Sequence, residues 1–449
     1  MADVHFGTNG IRGTFEDLSP ELALKLGKAI GRYLGKKVGV GRDGRRTGLC
    51  LKNALISGLL SAGSDVVDFD VVPSPTAELM IKEMGLDGVA VVTASHNPPE
   101  WNAIKVTDRK MVAISRERGA KIERLMGKVK GAEWDMVGEY KEEKNAVGRH
   151  IERIKEFIDA KAIGEKKPFF ILDCGNGTAS LMVGLFKEMG VRVITINDYV
   201  DWRFPGRPSE PTEENLSDLK RAVVELKADG GIAWDGDGDR VVFIDEKGNF
   251  VSGDKVVALS ILKRAKEGRK GRFVTTVATS MVASELAKKH GYDVVYTKVG
   301  APYMGEKVAK TKNVVLAGEE VGGVIWPELS LAKDGFITAA KIIELIVKDG
   351  RKLSEIVEKE LPNYYFVKTK IPCRNELKKK AMERIKREMK KEYGKIITID
   401  GVRADYEGGW VIVRASGTEP IIRIFSENKE EKKAKEIMEY WAGRVKKIK

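Results

Sequence analysis

The chain has 449 residues, of which 42% are hydrophobic and 32% charged. At about 150 residues per domain this length predicts roughly three domains, and the composition excludes a disordered, collagen-like or small disulfide-stapled chain. Lys and Arg (79) exceed Asp and Glu (66) by 13 charges, a surplus compatible with nucleic acid, an acidic membrane surface or an anionic small substrate.

The first residues carry neither the basic start nor the apolar stretch of a secretion signal. They lead into a glycine-rich loop, Gly7-Thr8-Asn9-Gly10-Ile11-Arg12-Gly13, which reads equally as an anion site built on Arg12 or as a leader. Three segments then repeat one pattern of β-branched strand, small-residue loop, amphipathic helix, glycine and second strand. The first has strands 38–40 and 66–69 around helix 49–62. The second has strands 169–172 and 191–196 around helix 179–189, and the third has strands 273–277 and 293–296 around helix 281–290. Each is a βαβ unit, with Gly63, Gly190 or Gly291 ending the helix. A single core seldom grows beyond about 250 residues, so three units this far apart predict three similar α/β domains. The remainder predicts a smaller α+β domain: strands 366–371, 395–400, 410–414 and 421–426 with helices 376–392 and 429–445. The expected limits are 1–147, 148–251, 252–365 and 366–449.

No apolar run nears the roughly 18 residues that span a bilayer; even 66–72 is broken by Asp68 and Asp70. Cys50, Cys174 and Cys373 form no CxxC pair, against a zinc site or disulfide framework. A cytoplasmic protein without a membrane partner is expected. Much of the positive surplus falls in 374–395 and 429–449, where bases alternate with acids and apolar residues as on a solvated helix face. The aromatics there, Tyr393, Tyr440 and Trp441, are not interleaved along the basic runs, so no nucleic-acid partner is expected. The lack of Gln and the many Lys and Glu residues fit a protein that works hot.

Four loops carry chemistry. Thr93-Ala94-Ser95-His96-Asn97-Pro98-Pro99 follows an apolar strand; it suits a presented serine stiffened by two prolines, or an ordinary turn. GxSxG is absent, so a Ser-His-Asp hydrolase has little support. Asp235-Gly236-Asp237-Gly238-Asp239-Arg240 alternates three carboxylates with glycines that permit a tight loop. Converging carboxylates need a cation, and this oxygen set favours Mg²⁺. An EF-hand also places acids at its positions 1, 3, 5 and 12, the last being Glu246, but Arg240 stands where that loop requires glycine. Ala317-Gly318-Glu319-Glu320-Val321-Gly322-Gly323 offers a carboxylate acceptor for sugar hydroxyls. Arg414-Ala415-Ser416-Gly417-Thr418-Glu419-Pro420, with Arg423 beyond, has the hydroxyls, exposed backbone N–H groups and guanidinium forks of a phosphate cradle. It lacks Walker A spacing.

Taken in order, FGTNGIRG, TASHNPP, DGDGDR, GEEVGG and RASGTEP resemble the motifs of the α-D-phosphohexomutase superfamily, the phosphoglucomutase/phosphomannomutase and phosphoglucosamine mutase group in its archaeal form. The resemblance covers essentially the whole chain. It implies three α/β domains with mixed sheets and a smaller fourth domain around a central cleft, and a mutase that moves a phosphoryl group between the 1- and 6-positions of a sugar. It also implies that Ser95 is the phosphoserine, that Ser95, Asp235, Asp237 and Asp239 hold Mg²⁺, and that Arg12, His96, Lys105 and Arg240 serve charge and proton transfer. Glu319, Val321 and Gly322 then meet the sugar, and Arg414, Ser416, Gly417, Thr418 and Arg423 its distal phosphate. A sugar bisphosphate is the implied activator, and a homo-oligomer is compatible. Three departures stand out: Asn9 for the usual Asp, Val321 for a hydroxyl residue, and Gly323 for an imidazole. An apolar residue at 321 also resembles phosphopentomutases, the same-chemistry alternative. A non-catalytic sugar-phosphate sensor is disfavoured by the intact serine and aspartates.

Overall fold

The computed structural model describes residues 5–7, 9–416 and 420–447. Three of its four sheets share one wiring. In each, a first strand pairs in parallel with a second and a third, and the chain then turns back from the third as an antiparallel strand. In the first sheet Lys37–Arg42 lies between Asp65–Val71 and Gly88–Val92, and Trp101–Asp108 returns beside the third. Ile11–Thr14 and Tyr140–Glu142 add the two edges. In the second, Phe169–Asp173 lies between Arg192–Ile196 and Gly230–Trp234, with Val241–Asp245 returning. In the third, Arg272–Thr276 lies between Asp293–Thr297 and Val314–Glu319, with Gly323–Ile325 returning. The βαβ units supply the parallel half of each sheet, and a hairpin supplies the antiparallel half. The third strands Gly88–Val92 and Gly230–Trp234 are buried at every residue, which explains their unbroken apolar runs.

The fourth sheet is wholly antiparallel, in the order Tyr365–Pro372, Ile421–Asn428, Gly409–Ala415, Val402–Tyr406. Helices Asn375–Tyr393 and Glu431–Lys446 cover it, burying Ile385, Met389 and Trp441 beneath their charged outer faces. Its expected strand 395–400 is absent: Ile397 makes one isolated bridge to Arg403, and the chain reverses through Gly401, at φ +76°. The apolar alternation of Ile397 and Ile399 belongs to the arm of a turn, and the ladder begins at Val402. The helix expected over 179–189 is a 3₁₀ turn, Thr178–Met182, running into an α-helix, Val183–Glu188. The expected limit at 147/148 falls inside helix Ala146–Lys155.

The cores are less separate than the repeats suggest. One cluster runs from Met80 in the first unit through Phe186 and Trp234 in the second to Phe336 and Leu361 in the third, and Trp234 stacks on Phe336 with centroids 5.7 Å apart. A buried polar contact pins the same junction. The ring nitrogens of His150 lie 2.8 Å from Thr76 Oγ1 and 2.8 Å from Asp334 Oδ2, joining helix Ser74–Glu83 to the start of helix Gly335–Asp349, which Asp334 caps. Among the described residues no helix is long and apolar enough to cross a membrane.

His150→Ala leaves the fully buried Thr76 hydroxyl and the buried Asp334 carboxylate facing an empty space. We expect a loss of about 3 kcal/mol, read as a lower unfolding midpoint in differential scanning calorimetry; an unchanged midpoint contradicts the three-way junction.

Candidate active site

The shared wiring puts Ser95, the aspartate loop and Glu319 at equivalent places, each where a third strand gives way to its returning partner. The loops of the first and second units are in contact. Ser95 Oγ donates to Asp235 Oδ2 at 2.6 Å, and Ser95 is only 2% exposed. A Cβ on Gly236 would stand 2.7 Å from the Ser95 carbonyl oxygen, and Gly238, at φ +76°, lies against Phe336. Glycine at these positions is what lets the aspartate loop close on the serine.

Asp235, Asp237 and Asp239 each offer an oxygen, all within 4.8 Å of one another. Cations from three units surround them. Lys105, from strand Trp101–Asp108, donates to Asp237 Oδ2 at 2.6 Å. Lys333 is 3.2 Å from Asp239 Oδ2 and donates to Glu319 Oε1 at 2.8 Å. Arg240 Nε lies 3.9 Å from Asp235 Oδ2 and 3.7 Å from Asp239 Oδ1. Ser74 Oγ donates to Asp237 Oδ2 at 2.5 Å. Ser74, Lys105, Asp239 and Lys333 also line a cavity of about 20 Å³ with Glu78 and Asn9, room for about one water.

The carboxylates respond unequally. Burial, then the charges of Asp239 and Asp237, push Asp235 up to about 7. Burial acts the same way on Asp237, but the ammonium of Lys105 and the hydrogen bonds from Lys105 and Ser74 overcome it and hold that group below the carboxylate range. Asp239 is also lowered against its burial, chiefly by Lys333. Lys105 is raised: its burial opposes the charge, and Asp237 and Asp239 outweigh that. Burial and the charges of Arg240, Arg12 and Lys105 push His96 down to about 2, so its ring is neutral near pH 7, with Nδ1 3.4 Å from Ser95 Oγ. Arg12 binds the Asn97 side chain.

This donor set fits a hard divalent cation. Among the described residues, Asp237 Oδ1 and Asp239 Oδ1 are buried without a hydrogen-bond partner, an arrangement costly to a protein unless another group takes those oxygens. Three carboxylate oxygens that converge this closely suit an oxygen-liganded ion.

Two buried arginines frame the loops, and the motif reading did not find them. Arg45 pairs with Asp43 at 3.0 Å and donates to the carbonyls of Ser95, Asn97, Pro98 and Trp101. Arg207 pairs with Asp173 at 2.6 Å and donates to the Trp234 carbonyl at 2.7 Å, just before the aspartate loop. Ser209 Oγ reaches the Ser95 carbonyl at 2.7 Å. Asp43 directly follows the first strand of its sheet and Asp173 ends the first strand of the next, which is the sequence signal for the pair.

Glu319 ends strand Val314–Glu319 and is buried against Lys333; Val321 and Gly322 form the turn after it. The fourth unit contributes a separate patch. Arg414 and Arg423 face each other across neighbouring strands, and Lys370 is opposite Arg423 on the next strand. Like charges in such register repel unless an anion intervenes. Arg414 Nε is 2.9 Å from Asp400 Oδ2, and the Ser416 carbonyl accepts from Lys378. Gly417 and Thr418 lie outside the described residues. A larger crevice, about 1070 Å³, opens between the first and third units beside Tyr33, Arg118, Lys298 and Tyr303. It contains none of the clustered aspartates, and its Arg118 and Lys298 are paired with Asp108 and Glu117.

Four family descriptions match in chain order: phosphoglucomutase/phosphomannomutase alpha/beta/alpha domain I over 3–132, domain II over 148–248, domain III over 252–364, and the C-terminal domain over 369–443. The chain belongs to the phosphoglucomutase/phosphomannomutase family. It is 44% identical to a phosphoglucomutase/phosphomannomutase of Thermococcus kodakarensis, covering 97% of this chain and 96% of that one. It is 41% identical to a probable phosphoglucosamine mutase of Methanopyrus kandleri, covering 96% of each. The crystal structure of a phosphoglucomutase/phosphomannomutase family protein from Burkholderia thailandensis superposes with a TM-score of 0.88 at 26% identity, over 98% of this chain and 96% of that one.

The carboxylate cluster makes a direct prediction. Isothermal titration with Mg²⁺ reports binding by the intact chain, and Asp237→Asn weakens it by about tenfold or more; equal binding by both proteins contradicts the site.

Proposed function

We propose that this phosphosugar mutase interconverts the 1- and 6-phosphates of a hexose or hexosamine through a phosphorylated Ser95, with Mg²⁺ and a sugar bisphosphate as activator. The observation that carries the reading is the buried hydrogen bond from Ser95 Oγ to Asp235 Oδ2 at 2.6 Å: one hydroxyl stands at the edge of a cluster made for a cation. The names of the archaeal relatives favour a hexose or hexosamine over a pentose.

In the forward half, the O–P bond at Ser95 breaks and one forms to the free hydroxyl of a sugar monophosphate, giving a bisphosphate. That hydroxyl loses its proton to a nearby base. His96, 3.4 Å from Ser95 Oγ, takes it once the negative charge of the phosphoryl group offsets the burial and the Arg240, Arg12 and Lys105 charges that otherwise hold the ring neutral, and passes it to the departing Ser95 oxygen. Lys105 stays protonated and, with Arg12 and Arg240, meets the charge on the transferring oxygens. Asp235, Asp237 and Asp239, with the Ser95 phosphate, would hold Mg²⁺, which when bound supplies positive charge across that phosphoryl group. After the bisphosphate turns end for end, Ser95 takes the other phosphoryl group. Glu319 in the loop with Val321 and Gly322 holds the sugar, while Arg414, Ser416, Gly417, Thr418 and Arg423 hold the distal phosphate in either orientation. The row Lys370, Arg423 and Arg414 supports this assignment. Helix Ala146–Lys155 belongs with the second unit in this scheme, and the other limits stay near 251/252 and 365/366.

Ser95→Ala abolishes turnover of hexose 1-phosphates to 6-phosphates in a coupled assay with Mg²⁺ and glucose 1,6-bisphosphate. Intact mass shows the native chain gaining one phosphate from the bisphosphate and the variant gaining none. Full activity of the variant removes Ser95 as phosphoryl carrier.

A further inference from the structure

Among the described residues around the aspartates, Lys333 is a cation to which the reaction scheme above gives no part. It lies two residues before helix Gly335–Asp349, is 6% exposed, and touches one carboxylate from each of two loops: Glu319 Oε1 at 2.8 Å and Asp239 Oδ2 at 3.2 Å. Its backbone is fixed by the residue that follows. The next residue, Asp334, donates its N–H to the Val324 carbonyl at 2.9 Å, caps the helix with one carboxylate oxygen and meets His150 with the other. The side chain also needs a particular neighbour. A Cβ at Gly323 would stand 2.4 Å from Lys333 Cδ and 3.1 Å from Nζ, so the position where the sugar loop lacks a side chain is filled by the lysine.

We propose that Lys333 is a positioning residue of the phosphosugar site: its ammonium ties the sugar loop to the metal loop and orients Glu319 toward a substrate hydroxyl. The inference rests on the mutase reading above. An ammonium that holds Oε1 fixes the orientation of the carboxylate and leaves Oε2 to accept from the sugar. The bridge to Asp239 bears on the reaction for a second reason. Both half-reactions use the same two loops with the sugar reversed, so the protein, and not the ligand, has to keep their separation constant. A lysine shared between one carboxylate from each loop does this directly. Losing it removes interactions made alike in ground and transition states, which raises KM more than it lowers kcat.

The test uses the full chain, with Mg²⁺ and glucose 1,6-bisphosphate, on glucose, mannose and glucosamine 1-phosphates. Gly323→Ala displaces the amino group while keeping its charge and an ordinary backbone, and Lys333→Met removes it. Each is expected to raise KM for the preferred sugar about tenfold with kcat changed less than about threefold. The double variant Lys333→Met with Glu319→Gln is expected to lose no more kcat/KM than the worse single variant, since both act on one contact. KM within threefold of the native value in Gly323→Ala overturns the proposal, as do losses that multiply in the double variant. If the native chain turns over none of these sugars and gains no phosphate, the mutase reading fails separately. Calorimetric binding of the corresponding 6-phosphates then decides: weaker binding in Gly323→Ala upholds the role of Lys333, while equal binding or no binding by the native chain overturns it.

Discussion

Three carboxylates buried within 4.8 Å of one another set the terms for everything around them. Such a cluster repels itself, and removing it from water adds a cost of several kcal/mol per ion unless opposite charges and hydrogen bonds satisfy each oxygen. The protein answers with one cation from each of three units: Lys105 on Asp237, Arg240 near Asp235 and Asp239, and Lys333 on Asp239. A serine hydroxyl completes the shell at Asp235. Two oxygens of the cluster, Asp237 Oδ1 and Asp239 Oδ1, have no hydrogen-bond partner among the described residues and mark where a further positive charge is wanted. The same electrostatics that make the cluster costly to fold make it strong toward a divalent ion and a transferring phosphoryl group.

The repeated wiring explains how distant stretches of chain reach one point. Each α/β unit ends its third parallel strand in a hairpin, and the chemistry sits in that loop. Arg45 and Arg207 hold two of the loops by their carbonyls, each charge balanced by a buried aspartate at the end of a first strand. The continuous apolar core from Met80 to Leu361 and the His150 junction hold the units themselves in place. A loop built this way keeps its shape because backbone groups, and not only side chains, are bound.

What was legible in the sequence was local. Glycine after each amphipathic helix, β-branched runs and glycines alternating with aspartates fix short-range geometry, and the three βαβ units and the aspartate loop follow from them. The hairpin partners were not read as such, because an antiparallel return and a crossover look alike in an apolar run. Strand 395–400 misled for a similar reason: its alternation is real, but Gly401 turns the chain before a ladder can form. Ser74, Lys333, Arg45 and Arg207 carry no motif, because the contacts that tie them to the site cross between loops: Ser74 reaches Asp237 over 163 residues and Arg45 reaches the Ser95 carbonyl over 50. Only Gly323, lacking a side chain where the resemblance led one to expect an imidazole, hinted that something else occupies that space.

The account stands most directly on where a metal sits relative to the serine. A crystal structure of the native chain grown with Mn²⁺, with anomalous scattering to locate the ion, decides this. The account predicts one strong peak among Asp235, Asp237 and Asp239, with an oxygen from each and one carried by the Ser95 side chain at roughly 2.0–2.5 Å. A peak elsewhere, or a Ser95 oxygen turned away from an ion held by the three aspartates, contradicts it.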